Sequence, residues 1–162
     1  MNKLKYLGYT VVFQEVPNEV SLAVNISGCP HKCEGCHSQY LWKYEGNYIS
    51  DDLSDLIKKY ENLITCVCFM GGEQNPSDLI HCLITVKQFG LKTCIYSGSD
   101  SLEGLVISNI AQYCDYIKIG RYDKKKGGLN NRNTNQKFFR RADNEFIDVT
   151  HLFWTKQHKG VF

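Results

Sequence analysis

Hydrophobic residues along this chain fall in short blocks that alternate between two periods. Residues 21–27 set Leu22, Val24 and Ile26 between smaller or polar neighbours, the period of a strand. Residues 64–70 form a near-continuous apolar run, too short for a helix and suited to a buried parallel strand. Residues 92–96 and 116–119 read as two further strands. Between these blocks the apolar positions take helical spacing. Leu53, Leu56, Ile57, Tyr60 and Leu63 share one face behind Ser50, a candidate cap with Asp51 and Asp52 in the first turn. Leu79, Cys82, Leu83 and Val86 share a second, opened near Pro76-Ser77 and stopped at Gly90. Leu102, Leu105, Val106, Ile110 and Tyr113 give a third, with Asp100 or Ser101 as its cap. A β-rich arm is expected over residues 9–16, before Pro17-Asn18, and a short hairpin from residues 138–141 and 146–149. Residues 127–136 are a polar loop without a hydrophobic period, and beyond His151 the pattern predicts no element.

The resulting βαβαβαβ order implies a parallel sheet with right-handed crossovers. Four strands are too few to close an eight-stranded barrel, so the expected fold class is α/β with an open, partial parallel β/α barrel. At 162 residues the chain is the size of one domain, and such a chain buries about 70% of its unfolded surface, enough for a full core. A single domain over residues 1–162 is expected, with no linker or repeat. With 43% hydrophobic and 22% charged residues it reads as soluble and globular. No stretch resembles a signal peptide and none has 18 consecutive apolar residues, so a cytoplasmic protein without a membrane partner is expected. A net charge of +2 does not suggest nucleic acid. Residues 121–141 do concentrate charge, with eight Lys or Arg against one acid, Asp123. Without a recognition motif, that run reads as a solvated loop or a surface that docks a protein.

In parallel sheets of this kind, sites form beyond the C-terminal strand ends. Four polar segments take that place: the loop holding Cys29, Cys33 and Cys36, then Gly71-Gly72-Glu73, the turn at residues 97–100, and Arg121. The cysteine spacing, Cys-x3-Cys-x2-Cys within eight residues, lets one short loop turn three thiolates toward a point. Most protein-bound [4Fe-4S] clusters use four Cys ligands, so a group of three raises the possibility of one open iron. A structural zinc completed by His31 or His37, a disulfide, or simple burial are the other readings. Cys66, Cys68, Cys82, Cys94 and Cys114 lie in expected strands and helices and read as small buried hydrophobes, and His81, His151 and His158 show no partner spacing. Gly71 and Gly72 let backbone approach a ligand, and the Glu73 carboxylate can hold an ammonium group. Lys118 and Arg121 end the fourth strand, facing either a substrate carboxylate or solvent.

GCPHKCEGCHSQYLW at residues 28–42 followed by MGGE at residues 70–73 resembles the radical S-adenosylmethionine superfamily, most closely the activating enzymes of anaerobic (class III) ribonucleotide reductases. Asn135-Gln136 before Lys137 is similar to a late motif of that family, and the resemblance covers roughly residues 20–141. Gly35 replaces the aromatic usual in the wider superfamily, as it does in this subfamily, while His37 stands where an aromatic such as Tyr is expected. The resemblance implies a [4Fe-4S] cluster on Cys29, Cys33 and Cys36 whose fourth iron binds S-adenosylmethionine. Glu73 would take the methionyl ammonium, Gly71 and Gly72 would lie along the same moiety, and Gly35, Cys36 and His37 would line the adenine side. It also implies a glycyl-radical reductase as partner and a low-potential electron donor such as flavodoxin or ferredoxin. An activase for another glycyl-radical enzyme, and a non-catalytic zinc or iron-sulfur module, are the alternatives.

Overall fold

The computed structural model describes residues 3–154, so His158 lies outside the described residues. Eight strands form one sheet: β1 (Lys5–Val12), β2 (Ser21–Ile26), β3 (Asn47–Tyr48), β4 (Cys66–Met70), β5 (Lys92–Tyr96), β6 (Tyr116–Ile119), β7 (Lys137–Ala142) and β8 (Glu145–Asp148). Their order is β3-β1-β2-β4-β5-β6-β7-β8, and the sheet is open. The four expected strands β2, β4, β5 and β6 are mutually parallel and lie side by side in chain order. The other four pair antiparallel, β1 and β3 along one side and the β7–β8 hairpin along the other. The sheet is therefore mixed: the expected parallel strands form its centre, and the arm and the hairpin extend it antiparallel on either side. The residue 138–149 hairpin folds back through a two-residue turn, which only antiparallel strands can use. Strand β1 begins earlier than residue 9 because Lys5 and Tyr6 pair with β3, a partner too short to leave a sequence signal.

Three helices follow the parallel strands' connections: α1 (Ile49–Tyr60), α2 (Pro76–Gln88) and α3 (Glu103–Ile107). Helix α1 starts one residue before Ser50, so that Ser50 sits inside the helix and makes no cap. In α2 the cap is Asn75, whose side chain accepts from the Asp78 amide, with Pro76 at the first helical position. Asn75→Ala should destabilise the protein by about 1 kcal/mol, read as a lower urea midpoint at unchanged slope. Gly90 closes the helix with φ 76, its amide donating to the Lys87 carbonyl. Helix α3 is much shorter than its apolar spacing suggests. Asn109 takes φ 66 and breaks it, so Tyr113 falls in a separate 3-10 turn (Ala111–Tyr113), and Val106 is 57% exposed.

Strand alternation sorts the core into two layers. Val67, Phe69, Ile95 and Ile117 pack with Leu53, Ile57, Leu79, Leu83 and Leu105 of the helices. Each fully buried Leu, Ile or Phe contributes roughly 1.5–3 kcal/mol relative to an exposed one, so this layer fixes the helices to the sheet. Cys66, Cys68, Cys94 and Tyr116 face the other way, joining Val16, Leu129, Phe138, Val149 and Phe153. The five cysteines read as small hydrophobes are all buried thiols, while Cys29, Cys33 and Cys36 stay partly exposed. Along the second face, one rank of register partners runs across the strand ends: Asn25, Met70, Tyr96, Lys118 and Phe138. Among the described residues, no helix is long and apolar enough to cross a membrane.

Candidate metal centre

The cysteine loop leaves β2 at its C-terminal end and is held by backbone at both flanks. The Gly28 amide donates to the Lys43 carbonyl at 3.1 Å and the Cys29 amide to Leu41 at 3.0 Å. Those acceptors lie in and after a short 3-10 helix (Gln39–Trp42), so the segment following the loop folds back as its brace. Gln74 ties the same corner to the next strand end. Its side-chain amide donates to the carbonyls of Ser27 and Gly28, at 3.2 and 3.3 Å, while its oxygen accepts from the Gly72 amide. Within the loop the Cys36 amide donates to the Cys33 carbonyl, and the Ser38 amide points at the Cys36 Sγ, 3.3 Å away.

A cavity of about 200 Å³ opens at this rim. Cys29, Cys33 and Cys36 line it together with Gly71 and Glu73, and Asn25, Met70, Tyr96 and Lys118 of the strand-end rank form part of its wall. Of the other expected site residues, Gly72 faces inward, where an added Cβ would meet Leu79 and Leu4. Gly35 and His37 lie just outside the cavity, under the segment after β6: Gly35 approaches Tyr122 and Lys124, and the His37 ring stands 5.6 Å from that of Tyr122. An ion pair of 2.7 Å between Lys124 and Glu34 joins the same two loops. Arg121 is exposed, lining a separate polar groove with Lys124 and Lys125.

Glu73 is held asymmetrically. Its Oε1 accepts from Ser97 Oγ at 3.0 Å and the Gly98 amide at 3.2 Å, and meets His31 Nε2 at 3.0 Å. Its Oε2 is buried with no partner. Burial by itself would raise the carboxyl's pKa, but the bonds from His31, its own amide, Ser97 and Gly98 outweigh it and hold the pKa below the ordinary value. Opposite stands Lys118, buried, its Nζ donating to the carbonyls of Ser97 and Gly120 at 3.3 and 2.8 Å. Burial pushes this lysine down to about 8, against the pull of Glu73, Cys33 and Cys29. Sequence reasoning left Lys118 between site and solvent, and missed the part played by His31, whose only sequence signal is its place between two ligand candidates. The Asn135-Gln136 motif holds the end of β6: Asn135 donates to the Arg121 carbonyl at 3.0 Å and Gln136 to that of Gly120 at 3.4 Å.

These residues fit an iron-sulfur cluster. The three thiols share one loop and one cavity, and among the described residues no further cysteine lines it. Three thiols from one short loop are the donor set an iron-sulfur cluster takes. Two lining residues also carry buried polar atoms without partners, the Trp42 Nε1 donor and the Glu73 Oε2 acceptor, as expected where a ligand belongs.

No curated protein and no solved structure matches the chain. The family described as a 4Fe-4S single cluster domain matches residues 19–144, which take in the cysteine loop, all four parallel strands and Asn135-Gln136. With that match covering most of its length, the chain belongs to the 4Fe-4S single cluster domain family.

Proposed function

We propose that this chain is a radical S-adenosylmethionine enzyme that activates a glycyl-radical enzyme, with anaerobic ribonucleotide reductase as its partner. One observation carries the reading: three partly exposed thiols line the same cavity as Glu73, a carboxylate with one buried oxygen left unpartnered, at the C-terminal rim of a sheet with consecutive parallel strands. That arrangement is the one a partial β/α barrel of the radical S-adenosylmethionine type would use. Cys29, Cys33 and Cys36 would hold three irons and leave the fourth for the substrate's amino and carboxylate groups. When reduced by a low-potential donor such as flavodoxin or ferredoxin, a bound cluster supplies the electron for reductive cleavage of S-adenosylmethionine, from which a hydrogen-abstracting radical arises.

The protein's own part is binding and enclosure. Glu73 Oε2 accepts a hydrogen bond from the methionyl amino group, a charge-assisted contact through the carboxylate. Lys118 spends two of its three donors on carbonyls and has one left for the carboxylate. The Gly71 backbone, at φ 105, lies along the same moiety, while Gly35 to His37 flank the adenine side. The exposed basic residues Arg121, Lys124, Lys125 and Lys126 follow β6, the first three lining the separate polar groove, and would meet a protein partner.

With reductant and S-adenosylmethionine alone, cleavage to 5'-deoxyadenosine should be slow. Adding the anaerobic reductase should produce a stable glycyl radical by electron paramagnetic resonance. No radical on any candidate reductase, with efficient turnover of a small molecule by the chain alone, would end the activase assignment and leave the radical enzyme.

A further inference from the structure

The residues between the first two candidate ligands, Pro30, His31 and Lys32, do more than span a loop. Lys32 takes φ 49, a left-handed turn that a non-glycine residue adopts only when its surroundings impose it. That turn leaves the Lys32 side chain exposed and His31 partly buried at the cavity wall, with its Nε2 3.0 Å from Glu73 Oε1. The same edge of the ring meets Gly98 so closely that a Cβ there would stand 2.5 Å from His31 Cδ2 and 2.9 Å from Nε2. Real Cβ atoms do not approach a ring so near, so glycine at this position is what admits the imidazole.

A carboxylate offers about four lone-pair positions over its two oxygens. Here the three donors converge on Oε1 and none reaches Oε2. Two of them, Ser97 and Gly98, follow β5 and are fixed by the sheet. His31 alone belongs to the cysteine loop. We infer that His31 is a positioning residue: by occupying Oε1 from the cysteine loop it keeps Oε2 free for the ligand, so the grip on the ligand's amino group depends on the shape of the loop that holds the cluster. The inference rests on the proposed binding of S-adenosylmethionine, and it makes Glu73 a receiver of information about that loop.

The test uses the full chain, reconstituted anaerobically, with iron and sulfide counted and the cluster kept oxidised so that titration with S-adenosylmethionine measures binding without turnover. His31→Phe, which keeps a ring and loses the donor, should bind about tenfold more weakly at wild-type iron content, equivalent to about 1.4 kcal/mol. His31→Gln, which can donate again, should recover most of that loss. In a Glu73→Gln background, His31→Phe should add little, since the two changes act through one carboxylate. Wild-type affinity in His31→Phe, or fully additive losses in the double variant, would overturn the inference. If His31→Phe assembles too little iron, Gly98→Ala displaces the ring by crowding its Cδ2–Nε2 edge; it should show the same weakening, and unchanged binding there overturns the inference equally. A fully loaded wild-type protein that does not bind S-adenosylmethionine is a different failure, and it removes the proposed function together with its ligand.

Discussion

Cys33→Ala should leave a protein that folds but holds almost no iron or sulfide after anaerobic reconstitution, and Cys29→Ala and Cys36→Ala should do the same. Ala at Cys66, Cys68, Cys82, Cys94 or Cys114 should reconstitute to near wild-type content. The contrast follows from placement: the first three thiols line the cavity, while the other five are buried among apolar side chains. Burial drives the Cys82 and Cys114 thiols up to about 12, and Cys94 well above its usual range, as for thiols enclosed by apolar side chains. The check is colorimetric iron and sulfide together with visible absorbance for all eight variants. If Cys94→Ala loses as much iron as Cys33→Ala, the three-ligand site is wrong.

Glu73→Gln should keep the cluster's absorbance and bind S-adenosylmethionine about 10–100-fold more weakly, the scale of losing one charge-assisted contact. Gln has the shape of Glu, so Ser97 and Gly98 can still donate to its oxygen. Its amide then takes the place of Oε2, turning a donor instead of an acceptor toward an ammonium. Calorimetric titration measures the change, and equal affinities would remove Glu73 from the binding site. A pH dependence accompanies it. Because the folded-state pKa of Glu73 is lowered, the carboxylate's contribution to stability is fully present above the unfolded carboxylate's pKa. That contribution is lost as pH falls through the lowered value, so it is complete at neutral pH and fades only in acid.

Much of this arrangement is legible from residues alone, for identifiable reasons. Strand β4 is buried along nearly its whole length, and such a strand writes itself as an unbroken apolar run. The sharp cysteine spacing and the glycine pair survive as local signals because each is confined to one turn. Helix α3 misleads because Val106 and Ile107 are apolar yet exposed, at 57% and 74%, so helical spacing there does not report a buried face. The early start of β1 is hidden because its partner there, β3, has only two residues. The His31–Glu73 contact is hidden by distance, since 42 residues separate the partners and no local pattern couples them. Lys118 is ambiguous in sequence because a lysine ending a strand is ordinarily solvated. Its register beside Tyr96 and Phe138 carries it inward instead.

The long reach of the contacts around the cysteine loop bears on how this protein is made. Glu34 waits for Lys124, 90 residues later in the chain, and His31 waits for Glu73 and for Gly98. A ribosome releases the three thiols long before it has supplied the strands that frame them, and pairings so far apart close slowly. During that interval the nascent loop is an unshielded set of nucleophiles, open to oxidants and stray metal. Iron delivery therefore belongs after translation has passed the sheet's later strands, and expression under low oxygen with iron supplied late should recover more loaded protein than early supplementation.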